Sequence, residues 1–147
     1  MNIFSFFAGA GFLDLGFELQ GNYNIVFVNE FYKTFNRIYR YARQNMGLQE
    51  PRFGHHIEDI TEYVDGRHED RLQKLIESVE ESREEELTGF IGGPPCPDFS
   101  VAGKNKGRNG ENGKLSGTYA QLICIAQPDF FLFENVKGLY QTKKHRE

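Results

Sequence analysis

The chain has 147 residues, 39% of them hydrophobic and 26% charged, with a formal net charge of -4. That length suits one domain with its own core and is too short for two of ordinary size. No apolar run approaches the roughly 20 residues of a membrane span, and Met1-Asn2-Ile3-Phe4 lacks the basic region of a secretory leader, so a cytoplasmic protein is expected.

Asn2 to Phe7 is a short, mostly apolar run that reads as a buried strand, ending in the small-residue turn Ala8-Gly9-Ala10-Gly11. A helix should follow, with Leu13, Phe17 and Leu19 on its apolar side, stopped by Gly21-Asn22 before a second strand, Ile25 to Val28. Phe31, Phe35, Ile38, Ala42 and Met46 recur at spacings of 4, 3, 4 and 4, which predicts an amphipathic helix over residues 31 to 46. A weak strand near Phe53 to Ile57 and a turn at Glu58-Asp59-Ile60 come next. Leu72, Leu75, Ile76 and Val79 mark a helix from about Arg67 to Leu87 whose other face is charged, with Glu84-Glu85-Glu86 as its solvated end. Phe90 to Gly93 reads as a strand running into a loop. The Gly, Asn and Lys content from Val101 to Gly117 predicts a long mobile segment. A helix from about Tyr119 to Gln127 and the strand Phe130 to Phe133 complete the pattern.

Strands alternating with helices predict an α/β fold with an open, doubly wound parallel sheet, and ligands beyond the C-terminal ends of the strands. Gly9, Gly11, Glu30, Asp59, Cys96 and Glu134 each fall just past a predicted strand. In a strand-to-helix turn, Gly9 and Gly11 let the backbone approach a ligand closely. Glu30, 19 residues after Gly11, stands where such sheets place a carboxylate for ribose hydroxyls, so the pair points to an adenosine-containing ligand. A tight turn with a surface glutamate is the plainer alternative. A GxGxxG dinucleotide site would need a third glycine where Asp14 stands.

The segment Gly92-Gly93-Pro94-Pro95-Cys96-Pro97 is more specific, because a cysteine in a rigid Gly-Pro loop at a strand end is oriented and partly exposed. Cys124, within Leu122-Ile123-Cys124-Ile125, reads as plain packing, and two cysteines without a CxxC pair build no disulfide framework. Glu134 leaves the apolar strand 130 to 133, and burial there would raise its carboxyl pKa and keep a proton available. His55, His56, His68 and His145 lack metal-ligand spacing, so no metal site is expected.

Phe7-Ala8-Gly9-Ala10-Gly11, Asn29-Glu30, Asp59-Ile60, the Pro94-Pro95-Cys96 loop and Glu134-Asn135-Val136 occur in the order and rough spacing of the cytosine carbon-5 DNA methyltransferases, which the chain resembles over nearly its whole length. The resemblance implies a Rossmann-like methyltransferase fold that binds S-adenosyl-L-methionine (SAM) and releases S-adenosyl-L-homocysteine. It implies that residues 7 to 13 (Phe7, Ala8, Gly9, Ala10, Gly11, Phe12 and Leu13) form the cofactor turn, that Glu30 and the adjoining Phe31 hold the ribose side, that Asp59 and Ile60 bind and cover the adenine, and that Pro95 shapes the loop. Cys96 resembles the family nucleophile and Glu134 its acid. Phe12 stands where the family commonly has glycine, and Pro97-Asp98 replaces a more usual Gln-Gly, so contacts to the SAM tail and the freedom of the loop are expected to differ.

The implied chemistry is addition of the Cys96 thiolate to cytosine carbon 6 while Glu134 engages ring nitrogen 3, on a base flipped out of its duplex. Lys104, Lys106, Arg108 and Lys114 lie in a loop that would close over the base and reach phosphates, with ordinary solvated loop residues as the plainer alternative. By the same resemblance residues 1–147 are the N-terminal part of a catalytic domain, without a target-recognition region or C-terminal part. A second polypeptide, or self-association through an unfinished sheet, is therefore expected. DNA is the expected substrate. The rival readings are an RNA methyltransferase of the same chemistry and a non-catalytic module that binds SAM or a partner.

Overall fold

The computed structural model describes residues 1–81, 87–95 and 111–135. The elements are β1 (Asn2–Phe6), α1 (Phe12–Glu18), β2 (Asn24–Asn29), α2 (Lys33–Asn45), β3 (His55–His56), a 3₁₀ turn (Ile60–Tyr63), α3 (Glu69–Glu80), β4 (Thr88–Gly92), α4 (Glu111–Ala126) and β5 (Phe130–Phe133). The strands form one sheet in the order β3-β2-β1-β4-β5, with every pairing parallel. The chain winds outward from β1 through β2 to β3 and then returns to the other side of β1 to lay down β4 and β5. The order reverses between β1 and β4, and ligands bind beyond such a reversal.

Alternation along β1 divides the core. Phe4 and Phe6 join Val26, Phe27 and Phe90 under the 3₁₀ turn, α3 and α4, where Tyr63, Leu72, Ile76, Val79, Tyr119 and Leu122 are buried. Ile3 points the other way with Ile25, Val28 and Ile91, against Tyr39 of α2 and Leu13 and Phe17 of α1. Helices therefore cover both faces, the doubly wound arrangement expected. Each fully buried aromatic or aliphatic side chain contributes about 1.5 to 3 kcal/mol. Among the described residues no helix is long and apolar enough to cross a membrane.

The structure departs locally from the sequence pattern. An apolar stripe ordinarily faces the core, but in α2 it faces out: Phe35, Ile38 and Met46 are 46%, 47% and 51% exposed, and Phe31 is exposed too. The buried residues of α2 are instead Asn36, Tyr39 and Arg43. The reason lies on the neighbouring helix, where Asp14 and Glu18 offer acceptors to Tyr39 and Arg43. Leu19 caps α1 and is exposed. The weak strand near 53 to 57 shrinks to His55–His56. α4 begins at Glu111, so residues 111 to 117, expected in a mobile loop, are helical despite Gly113 and Gly117; Leu115, Tyr119 and Leu122 pack this helix onto the sheet. Cys124 is exposed rather than packed, because the buried side of α4 runs through Tyr119 and Leu122. The loop 101 to 110 and Glu84-Glu85-Glu86 lie outside the described residues.

Candidate functional site at the C-terminal ends of the strands

Register places the last residues of the central strands level, with Phe6 opposite both Asn29 and Gly92, and Gly92 opposite Phe133. The residues one step beyond, Phe7, Glu30, Gly93 and Glu134, therefore share one rim of the sheet. The turn leaving β1 is tightly built. Phe7 has φ +52°, Gly9 +56° and Gly11 +89°. Left-handed backbone costs a non-glycine residue about 1 to 2 kcal/mol, and such strain concentrates at functional turns. The Ala8 N–H donates to the Asn29 carbonyl at 3.2 Å, and the Gly11 N–H to the Ala8 carbonyl at 2.9 Å.

Glu30 is buried at the end of β2, and both of its side-chain oxygens are engaged. Oε2 accepts from the Gly9 N–H at 2.9 Å and Oε1 from the Tyr32 N–H at 2.7 Å. Each oxygen keeps a lone pair for a further donor. Asn29 donates from Nδ2 to the Glu58 carbonyl at 2.9 Å, which ties the end of β2 to the segment leading into the 3₁₀ turn. There the Asp59 Oδ1 caps the turn, accepting from the Thr61 N–H at 2.9 Å and the Thr61 hydroxyl at 2.8 Å. Burial alone would raise the Glu58 carboxyl, but hydrogen bonds from Arg71 and Tyr63 outweigh it and hold the group below its ordinary range.

These segments enclose a cleft of about 330 Å³ lined by Phe7, Gly9, Asn29, Glu30, Phe31, Tyr32, Phe35, Glu58, Asp59, Ile60, Gly93, Pro95 and Leu115. Of the residues singled out by sequence, it gathers Phe7, Gly9, Glu30, Phe31, Asp59, Ile60 and Pro95. Ala8 is buried in the core and Leu13 packs beside it. Ala10, Gly11 and Phe12 border a smaller groove between α1 and α2, on the other side of the turn. Asn29, Glu58, Tyr32 and Gly93 flank or share segments already singled out, so adjacency is their signal; Phe35 is marked only as part of a helical stripe, and Leu115 only by a loose likeness of residues 115 to 119 to a family segment beside the cofactor.

Glu134 leaves β5 with its N–H bonded to the Gly92 carbonyl at 2.9 Å, and its side chain lies against Gly93. That side chain is exposed, contrary to the expected burial, because β5 is an edge strand with no described element beyond it. Cys96 lies outside the described residues; the chain is described as far as Pro95 on the cleft wall.

The family model for C-5 cytosine-specific DNA methylase matches residues 1–147. The chain belongs to that family. Among curated relatives, it is 55% identical to the Type II methyltransferase M.NmeDI of Neisseria meningitidis serogroup C, an alignment covering 99% of this chain and 34% of that protein. It is 37% identical to the Type II methyltransferase M.FnuDI of Fusobacterium nucleatum, over 97% of this chain and 34% of the relative. The Type II methyltransferase M.AquIA of a Picosynechococcus strain is 30% identical over 97% of this chain and 51% of its own length. The crystal structure of a Spodoptera frugiperda DNMT2 mutant superposes with a TM-score of 0.52 at 22% identity, over 97% of this chain and 38% of that one, a likeness of fold. This member of the methylase family thus spans about a third of the first two relatives.

Proposed function

We propose that the chain supplies the SAM-binding and nucleophile-bearing part of a cytoplasmic DNA (cytosine-5-)-methyltransferase, as the N-terminal part of its catalytic domain. The observation that carries this reading is the convergence on one cleft of Phe7 and Gly9, Glu30, Asp59 with Ile60, and Pro95, beside Glu134 at the same rim. The cleft fits an adenosyl group. Glu30 retains acceptor capacity for ribose hydroxyls, while Phe7, Phe31 and Ile60 give an apolar slot for a flat base. Ala8 and Leu13 pack behind that turn. When bound, SAM supplies an electrophilic methyl group for cytosine carbon 5 and leaves as S-adenosyl-L-homocysteine.

This chain's own residues act on the base. Cys96, directly after Pro95, adds as thiolate to carbon 6, and Glu134 hydrogen-bonds or protonates ring nitrogen 3, which gives carbon 5 enamine character. Loss of the carbon-5 proton after methylation expels the thiol. The target base must be flipped from the duplex to reach this rim. Glu134 is exposed among the described residues, so its enclosure is expected from the bound base and from further polypeptide. A second polypeptide, or a second copy joined at the β5 edge, would provide it.

That same exposure favours a second reading, a non-catalytic module that binds SAM or a partner. One experiment separates the two. The purified chain is mixed with SAM and a duplex carrying 5-fluorocytosine, with and without the C-terminal two-thirds of the Neisseria meningitidis relative. A covalent protein–DNA adduct that forms only in the mixture, and not with Cys96→Ser, is expected. If no adduct forms under any complementation, the non-catalytic module stands. An RNA substrate in place of DNA tests the related alternative.

A further inference from the structure

The proposed chemistry makes no use of Asp14, although it is 1% exposed and more deeply buried than Glu30. Its carboxyl group accepts two hydroxyls at once. Ser5 of β1 donates to Oδ1 at 2.7 Å and Tyr39 of α2 donates to Oδ2 at 2.7 Å. Arg43 donates to the Tyr39 phenol oxygen at 3.3 Å and, through both terminal nitrogens, to Glu18 at 2.6 and 2.8 Å. The chain of bonds therefore joins the strand before the cofactor turn, the helix after it, and α2.

Its position relative to Gly11 gives it a use. A β-carbon on Gly11 would lie 2.6 Å from Cδ2 of Tyr39, so the phenol ring is the wall on which the end of the turn rests. The turn is thus held between two carboxyl groups. Glu30 binds the Gly9 N–H from the cleft side, and Asp14 acts from behind through the Tyr39 ring on Gly11. Both oxygens of Asp14 are needed, since a carboxylate accepts from both hydroxyls together whereas an amide has one acceptor oxygen. Burial pushes the Asp14 carboxyl up to about 6, despite the hydrogen bonds from Tyr39 and Ser5.

We propose that Asp14 is a positioning residue for the cofactor turn: by fixing the Tyr39 phenol behind Gly11 it sets where the Gly9–Gly11 backbone stands relative to Glu30, and so the affinity of the cleft for an adenosyl ligand. The proposal rests on the reading that the cleft takes SAM.

The test compares the wild-type chain with Asp14→Asn and Tyr39→Phe, the latter keeping the ring against Gly11 and losing only the hydroxyl. S-adenosyl-L-homocysteine binding is measured by calorimetry below each protein's melting temperature, and amide exchange of Gly9 and Gly11 is followed without ligand. Both variants should bind about three- to tenfold more weakly, the loss of one hydrogen bond's worth of order, with faster exchange at both glycines. Wild-type affinity should also fall as pH drops through about 6, a step absent in Asp14→Asn. Tyr39, Arg43, Glu18 and His55, which touches the Tyr39 ring, are common to wild type and Asp14→Asn, so the difference belongs to Asp14. Affinities within twofold of wild type with unchanged glycine exchange would overturn the proposal, even if both variants melt earlier. A wild-type chain that binds no S-adenosyl-L-homocysteine sinks the cofactor reading instead, and glycine exchange then decides by itself whether Asp14 holds the turn.

Discussion

Gly93 lies so close to Glu134 that a β-carbon on it would stand 2.9 Å from Oε2 of the glutamate. The loop before Cys96 and the proposed acid are therefore spaced by the missing side chain of one residue. Gly93→Ala should push the exposed carboxyl aside at little cost to the fold, within about 0.5 kcal/mol. A displacement of about 1 Å at a reacting group costs on the order of 100-fold in rate. Adduct formation with 5-fluorocytosine in the complemented system should slow by at least about tenfold on that basis. An unchanged rate would place Glu134 outside the chemistry.

Glu30 offers a sharper test of the cleft. Its removal loses an acceptor for ribose and strands the Gly9 and Tyr32 N–H groups. Glu30→Ala should weaken S-adenosyl-L-homocysteine binding by about 1 to 3 kcal/mol. Glu30→Gln should fall in between, because its amide nitrogen cannot accept from either backbone donor. Equal binding by all three proteins, measured by calorimetry, would remove Glu30 from the site.

Asp14 makes stability depend on pH in a direction opposite to most native carboxylates. Its folded pKa of about 6 lies above the ordinary 3.8, so between those values the folded chain holds a proton that the unfolded chain has released. Stability from this group is therefore present below about pH 4 and falls as pH rises through 6, by roughly 3 kcal/mol in all. Glu58, held low, acts the other way. Denaturant midpoints at pH 4.5 and 7.5 for wild type and Asp14→Asn isolate the Asp14 share. The variant should lack the downward slope, and parallel profiles would refute the assignment.

The reversed face of α2 predicts which of its residues matter to folding. Ile38→Lys and Phe35→Glu should change stability by no more than about 0.5 kcal/mol and should reduce any self-association seen by sedimentation. Tyr39→Ala should cost about 3 to 5 kcal/mol, as for a large side chain deleted from a core. A severe loss from Ile38→Lys in a monomeric chain would contradict the orientation described.

The same helix shows what periodicity alone does not encode. Periodicity weighs one element at a time, and by that measure Phe35, Ile38 and Met46 outrank Asn36 and Arg43. Burial was decided across elements, by Asp14 and Glu18 waiting on α1. The sheet was legible because Phe4, Phe27, Phe90 and their neighbours form apolar runs needing no partner information. Glu30 and Asp59 were legible because each follows a strand or a turn signal directly. Leu115 enters the cleft only once α4 is assembled against the sheet. Glycines at 113 and 117 masked the first turns of α4, which tertiary packing of Leu115 and Tyr119 overrides.

The two helices flanking the sheet are attached by different forces. α3 is held by Leu72, Ile76 and Val79, while α2 is held largely by the hydrogen bonds of Tyr39 to Asp14 and of Arg43 to Glu18. Apolar attachment weakens on cooling, whereas hydrogen-bonded and ionic attachment does not share that temperature dependence. The sheet face under α3 should therefore be the first to loosen in the cold, while the face under α2, held by bonds between buried polar groups, keeps its attachment. One small domain would then have two seams that respond unequally to cooling, and the seam nearest the cofactor turn is the less sensitive of the two.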